Sequence, residues 1–466
     1  MCPRSQTTYC NPIAIPNYPK GYNQGRYGSD FRELADPTVI FHDNQWYLYP
    51  SCGMAYVSKD FVTWEHHRLS PEDIGYAPTV VKHKDKFLLT AMDRPLWMAD
   101  HPLGPFHEVG TFIKPDGTQV KMKDPMLFSD DDGKLYAYWG IIDYFDPGFW
   151  GAELDQQEPW KLISEPVLLG GFDPDQEWQR FGEWNEDRNK RWLEGVFMFK
   201  KQGTYYLTYA APGTQFGTYA MGAFRSQSPL EGFVAQENNP FLMKRYGLVR
   251  GTGHGCVVEG PNDTIWAFYT CCTGYEHGFE RRIGFDAVGI DENGNLFVKE
   301  ATEIPQWAPG YLQKPELGNG AGLLPLTFTR NHTGSSYREG RNPIYALDDS
   351  MLSWWQPLEN DPDKFLEVNL ESDFHIHASR IIWRDVGLHY ESGRCPGPFG
   401  YRIEAWNTAN EAWTLVLDCS NNAIDYLIDY RMFEPFVTKK VRLKIVSSPI
   451  GIEPGVISFT VFGRSE

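Results

Sequence analysis

In this 466-residue chain, four residues whose side chains can move protons stand at the same point of a repeated pattern. Asp36, Asp124 and Glu194 are carboxylic acids; His254 is an imidazole. Each heads an apolar run, followed by a polar break and an aromatic-rich second run. The four stretches are ADPTVIFHDNQWYLYPS, KDPMLFSDDDGKLYAYWG, LEGVFMFKKQGTYYLTYA and GHGCVVEGPNDTIWAFYT. A fifth copy, YAPTVVKHKDKFLLTAM, has Ala77 at that point. Two acids, one protonated and one not, are the minimum for hydrolysing a glycosidic bond. If the ionised one must activate a water, the pair stands roughly 6.5–9.5 Å apart and the anomeric configuration inverts.

Each candidate also has a purely structural reading. Asp-Pro is first of all a turn starter, and the chain has further pairs at 146, 173 and 361. Only Asp36 and Asp124 open a repeat, and that shared register sets them apart. Glu194 lies between an apolar Leu193 and Gly195, ahead of an apolar run. A carboxyl buried there is costly to ionise, which suits a general acid, and Asp124 would add like-charge repulsion and orient it. His254 sits in GTGHG. Cys256 and strand-like residues follow, so the glycines are no dinucleotide fingerprint and instead suggest close backbone packing. The histidine is either a holder of an ion or water, or a hydrogen-bonded core residue.

Something must bring residues so far apart in sequence to one place. The copies begin at 36, 77, 124, 194 and 254, at spacings of 41, 47, 70 and 60 residues. Repeats of roughly 40 to 50 residues made of short strands are the mark of propeller blades. Equivalent points of all blades face a common axis, so the acids would meet at one end of a central channel. The long spacing before Glu194 holds an insertion, DPDQEWQRFGEWNEDRNKRW (173–192), with Trp178, Trp184 and Trp192. It is expected to wall the pocket, as long loops on rigid scaffolds do. Trp97 and Trp184 are the aromatic candidates for stacking on a sugar ring.

The predicted fold class is all-β: a five-bladed β-propeller over 1–310, a linker over 311–334, and a β-sandwich over 335–466. The Pro/Gly-rich stretch WAPGYLQKPELGNGAGLLP closes the repeats. The strand-like runs RIIWRDV, YRIEAWN, WTLVLDC, KKVRLKIVS and GVISFTVFG follow it. A formal charge of −18 argues against nucleic acid and anionic membranes as partners. No apolar run is long enough for a transmembrane helix. The N-terminus lacks the charged and apolar regions of a leader. The expectation is a cytoplasmic protein if the chain is full length, or a periplasmic or extracellular one if a leader has been removed. The eight cysteines form no zinc-type spacing, and most are expected as reduced, buried thiols; a Cys395–Cys419 disulfide is conceivable.

ADPTVI (35–40), KDPMLF (123–128), LEGVFMF (193–199) and GTGHGCV (251–257) together resemble the signature positions of glycoside hydrolase family 43. The resemblance implies a five-bladed propeller and an inverting glycosidase. By it Asp36 would be the general base, Glu194 the general acid, and Asp124 the residue that orients the acid and modulates its pKa. His254 would sit near an axial ion, often calcium and usually reached through water; the acid–base chemistry itself requires no cofactor. Arg281 in ERRIGFDAV would face the sugar hydroxyls, with Arg282 the neighbouring candidate. The expected substrate is an oligo- or polysaccharide losing a terminal sugar, α-L-arabinofuranose or β-D-xylose before galactose or galactofuranose. A retaining fructan hydrolase fits less well, since Ala35-Asp36-Pro37 and Glu194-Gly195 stand where that group has Asn-Asp-Pro and Glu-Cys. A sugar-binding propeller without catalysis is the other alternative. The C-terminal stretches ALDDSMLSWWQP, FLEVNLES and RIIW are similar to discoidin-like (factor 5/8 type C) modules. There Trp354 and Trp355 are either exposed sugar platforms or core residues, the latter favoured.

Overall fold

In the computed structural model the described residues are all except 1–6, 22–29, 52, 273, 275–277 and 466; the Cys272 side chain is also left out. Strands account for nearly all regular structure, and the helical elements are 3-10 turns of three or four residues. No helix among the described residues is long and apolar enough to cross a membrane.

Five antiparallel sheets follow one another along the chain. Blade I comprises Thr38–His42, Gln45–Tyr49, Met54–Ser58 and Glu65–Arg68. Blade II comprises Thr79–His83, Lys86–Thr90, Leu96–Ala99 and His107–Gly110. Blade III comprises Met126–Ser129, Leu135–Trp139, Gly148–Leu154 and Val167–Gly171. Blade IV is built on Glu194–Lys201, Thr204–Ala211 and Ala220–Ser226. Blade V comprises Arg250–Glu259, Ile265–Cys272, Arg282–Ile290 and Leu296–Phe297. The polar breaks are tight hairpins. Asp43 and Asn44 (φ 48° and 59°) and Gln202 and Gly203 (φ 51° and 82°) are left-handed at both central positions, as a type I′ turn requires.

The second strands read as unbroken apolar runs because neighbouring blades cover both of their faces. All five residues of Leu135–Trp139 are buried. Tyr47, Tyr49, Phe87, Leu89 and Trp97 fill the space between blades I and II. Trp97 is 7 % exposed there, so it is a packing residue and lies outside the acid site, against the expectation. Blades I and V meet through Phe61, whose ring centroid is 5.2 Å from that of Phe268 and 5.8 Å from that of Phe285. The N-terminal arm reinforces this join. Thr8–Tyr9 pairs with Gln306–Trp307, and the Asn11 amide donates to the buried carboxylate of Asp286 on blade V.

The C-terminal strands form one continuous network dominated by Phe365–Val386, Ile428–Ser447 and Glu453–Arg464. Strands of 22 and 20 residues are too long for one flat sheet. Register shifts between Asn369 and Phe374 and between Ile376 and Ala378 bend them, which lets one strand serve both layers of a β-sandwich. The stretch expected as a linker contributes to it: Leu324–Pro325 pairs with Phe462–Gly463, and Asn331–Gly334 with Leu366–Asn369. Trp354 and Trp355 are 5 % and 0 % exposed, so neither is a sugar platform. The Trp355 indole donates to the Ser336 carbonyl at 3.0 Å, and the Arg341 guanidinium covers the Trp354 ring. Cys10 and Cys256 are buried free thiols, whereas Cys395 is free and exposed. Cys419 is disulfide-bonded, so it is not joined to Cys395. Cys2 and Cys52 lie outside the described residues.

Candidate active site

Each blade has a residue in the left-handed region just before its first strand, in blades I to III, or at an irregularity within it, in blades IV and V. These are Asp36 (φ 53°), Ala77 (φ 47°), Asp124 (φ 45°), Gly195 (φ 66°) and His254 (φ 37°). The equivalent of Asp36 in blade IV is therefore Gly195, and Glu194 stands one residue earlier than the simple repeat implied. Gly195 has a second reason to lack a side chain: a Cβ there would lie 2.6 Å from the His254 ring. Likewise a Cβ at Gly253 would lie 2.4 Å from the Tyr219 ring, so the GTGHG glycines do serve close packing.

Asp36, Asp124, Glu194 and His254 converge at one end of the propeller axis. His254 Nδ1 lies 3.4 Å from Asp36 Oδ1 and 3.9 Å from Asp124 Oδ2. Asp36 is 4 % exposed and tightly held. Ser51 Oγ donates to Oδ2 at 2.7 Å, and Arg281 donates from Nη1 to Oδ1 at 3.0 Å and from Nη2 to Oδ2 at 3.2 Å. The Asp36 backbone N–H donates to Thr270 Oγ1 at 2.8 Å, which fixes the turn. Burial raises the pKa of this carboxyl, but Arg281, His254 and Ser51 together hold it below the usual carboxylate value. Three donors on a group with about four acceptor positions leave room for one more, such as a water.

Asp124 is as buried, at 3 %, and its environment acts the other way. Burial, opposed by His254 but reinforced by the charges of Glu194 and Asp36, pushes it up to about 7. Its Oδ1 has no hydrogen-bond partner among the described residues. The apolar flanks of Glu194 suggested that it would be the buried acid, but the structure buries Asp124 and leaves Glu194 partly exposed. Glu194 has a defined orientation nonetheless. Tyr219 donates its hydroxyl to Oε1 and Trp192 its indole N–H to Oε2, each at 2.7 Å.

Arg281 is where the sequence reading expected it, at the site, but its guanidinium is committed to acids. Besides Asp36 it donates from Nε to Glu33 Oε1 at 3.0 Å, and the Tyr76 hydroxyl donates to Glu33 Oε2 at 3.1 Å. The rings of Phe279 and Tyr76 lie against it at 4.9 and 5.6 Å. Arg282 instead turns away, donating to the carbonyls of Arg32 and Arg281. The insertion forms a hairpin, Arg180–Phe181 against Asp187–Arg191, at the acid end. It is tied down by Gly217 N–H donating to Glu183 and by Arg245 donating to Asn185 Oδ1, both at 2.9 Å. Trp184, between these two contacts in sequence, is 64 % exposed.

Sequence reasoning missed Ser51, Glu33, Tyr219 and Trp192 as partners of the acids. Only Trp192, two residues before Glu194, carried a signal. The calcium expected near His254 would be reached through water rather than held directly by side chains. Among the described residues no three His, Cys, Asp or Glu side chains converge as ligands, whereas calcium takes six to eight oxygens. His254 offers an imidazole turned towards two carboxylates, so no step below runs through an ion.

A five-bladed propeller with three carboxylates at one end of its axis defines a class of carbohydrate-cleaving proteins. The chain belongs to glycosyl hydrolases family 43, whose model matches residues 31–296. It is 27 % identical over 202 residues to a xylosidase/arabinosidase of Butyrivibrio fibrisolvens, covering 40 % of this chain and 36 % of that protein. It is 26 % identical over 201 residues to a beta-xylosidase of Xylanibacter ruminicola, covering 36 % and 58 %. The chain thus matches less than two thirds of the length of either relative. Among solved structures, a thermostable family-43 glycoside hydrolase superposes with a TM-score of 0.53 at 24 % identity, covering 66 % of this chain and 100 % of that one. A xylan beta-1,4-xylosidase from Bacillus halodurans C-125 superposes with a TM-score of 0.50 at 15 % identity, covering 98 % and 100 %. That second likeness, in fold alone, extends through the C-terminal sandwich.

Proposed function

We propose that this protein is an inverting, exo-acting glycoside hydrolase that releases a terminal β-D-xylose or α-L-arabinofuranose from oligo- or polysaccharides. The observation that carries the reading is the treatment of Asp36. Arg281 and Ser51 hold it as a carboxylate, with an acceptor position left for a water. In this reading Asp36 takes a proton from that water as the water attacks the anomeric carbon. Glu194 gives its proton to the leaving oxygen as the glycosidic bond breaks. Accessibility favours Glu194 over Asp124 as the acid: Glu194 is partly exposed, whereas Asp124 is buried. Asp124 then shapes the field around the acid and receives the Gly195 backbone N–H. The choice of sugar rests on the names of the two curated relatives.

The test is a panel of aryl glycosides: β-D-xyloside, α-L-arabinofuranoside, β-D-galactoside and β-D-galactofuranoside. Turnover of either of the first two is expected. Turnover of a galactoside alone would overturn the choice of sugar. Binding of xylo-oligosaccharides without any hydrolysis would overturn the enzymatic reading.

A further inference from the structure

The loop between the second and third strands of blade III carries two aromatic side chains in water: Tyr144 is 66 % exposed and Phe145 94 %. The loop itself is held. Asp143 Oδ1 accepts the backbone N–H groups of Phe145 and Asp146 at 2.7 and 3.0 Å, and Asp146 Oδ1 accepts the Trp150 indole N–H at 2.9 Å. It is also tied to the segment that delivers Glu194. Ile142 and Leu193 exchange backbone hydrogen bonds at 2.7 and 3.1 Å, and Arg191 Nε donates to the Asp143 carbonyl at 2.7 Å. The pairing is antiparallel, so as residues 191–194 run in towards the acid, residues 142–145 run out from it. Tyr144 and Phe145 therefore stand on the order of 10 Å outward from Glu194. Trp192, opposite Asp143 in this ribbon, is partly exposed and holds Glu194 through its indole.

We propose that Tyr144 and Phe145 form a platform for the leaving side of an oligosaccharide, on which the sugars beyond the cleaved bond stack. The proposal rests on the reading of Glu194 as the general acid. An acid must touch the oxygen of the leaving group, so the leaving chain lies on the acid's side of the site, and the base and its water lie on the opposite face. The Asp143–Asp146 loop flanks the acid on that side, outward from the axis. The faces of sugar rings are lined by C–H groups, and flat aromatic side chains bury them with little loss of side-chain freedom. The bonds made by Asp143 and Asp146 order the loop before a sugar arrives, which removes a further entropic loss on binding. Single exposed apolar side chains are ordinary on a surface. Two adjacent rings on a pinned loop, paired with the segment that carries the acid, are a built surface. The substrate class follows: a chain of several sugars recognised along its length, in preference to a glycoside with a small leaving group.

The test compares, in the full chain, kcat/KM on the aryl glycoside that the wild type turns over with kcat/KM on unbranched oligosaccharides. These are the xylose dimer and tetramer, or the arabinofuranose pair if the arabinofuranoside is the aryl substrate. For the wild type, kcat/KM is expected to rise from dimer to tetramer. In the double variant Tyr144→Ala, Phe145→Ala the ratio of tetramer to aryl glycoside should fall about tenfold, mainly through KM for the tetramer, and the rise with length should vanish. Tyr144→Trp with Phe145→Trp keeps two flat faces and should retain most of the ratio, which separates loss of the platform from distortion of the loop. Phe145→Ala, at the more exposed ring, carries the comparison alone if the double variant does not fold. A wild-type kcat/KM that does not rise with length would overturn the platform and leave the reading of Glu194 intact. So would an unchanged ratio in the alanine variants, or an equal loss on tetramer and aryl glycoside. Failure of the wild type to release a terminal sugar from any of these substrates would instead sink the reading itself, and the platform with it.

Discussion

Asp36 and Asp124 are the same residue type, open the same repeat, and are equally buried, yet their surroundings drive them apart. Asp36 meets a guanidinium and a hydroxyl; Asp124 meets two other acids and, among the described residues, has an oxygen with no donor. Separation of this kind is how one site holds an ionised and a protonated carboxyl together. Replacing Asp36 with Asn, or Glu194 with Gln, removes a proton-transfer group and should cut kcat by roughly 10²–10⁴-fold without unfolding the protein. Near-normal turnover by either variant would remove that residue from the mechanism. Asp124 makes a prediction for stability. Its folded pKa of about 7 lies above the unfolded value of about 3.9, so the folded state keeps a proton that the unfolded chain releases. Its contribution therefore falls as pH rises from about 4 to about 7. Asp124→Asn cannot ionise, so its thermal midpoint relative to wild type should climb across that window and level off above it. A flat or falling difference would contradict the assignment. The three acids and the histidine were legible in sequence because each opens a repeat. Their hydrogen-bond partners were not: Ser51 and Tyr219 reach Asp36 and Glu194 across strands of the same blade, and Arg281 joins Asp36 and Glu33 only through the closure of blade V on blade I.

At the level of elements, the repeat is defined by backbone shape more than by side chain. Five left-handed residues at the blade entrances turn the chain at the axis, and four of them are not glycine. Such a conformation costs an ordinary residue roughly 1–2 kcal/mol, borne where the surrounding structure fixes it. The one-residue offset of Glu194 follows: the glycine takes the turn, and the acid before it projects towards Trp192 and Tyr219. Gly195→Ala should therefore be harmful out of proportion to its size. Left-handed strain and a Cβ driven against His254 together predict a loss of about 2–4 kcal/mol, read by chemical denaturation, and lower activity. A loss of only a few tenths would mean that His254 moves aside freely. The blade hairpins were readable from their turn residues and apolar runs. Trp97 was misread because an aromatic between two blades and an aromatic over a pocket look alike in one dimension.

For the whole molecule, the propeller and sandwich are joined by charged pairs and by the N-terminal arm. The five-blade count and the all-β character were legible because each copy repeats strand, break and strand. The Pro/Gly-rich join was only partly legible: strands at 324–325 and 331–334 carry too few residues for a pattern and exist only by pairing with the sandwich. The tandem tryptophans 354 and 355 belong to its core, which composition alone cannot distinguish from a surface platform. What unites the scales is a claim about stereochemistry. If Asp36 activates a water on the face opposite Glu194, the first sugar released has the reverse anomeric configuration. The direct measurement is proton NMR of the hydrolysis mixture in its first minutes, before the sugar mutarotates. Substrates would be an aryl β-D-xyloside and an aryl α-L-arabinofuranoside. The account predicts that α-xylose or β-arabinofuranose appears first; first appearance of the anomer with the substrate's own configuration would contradict it.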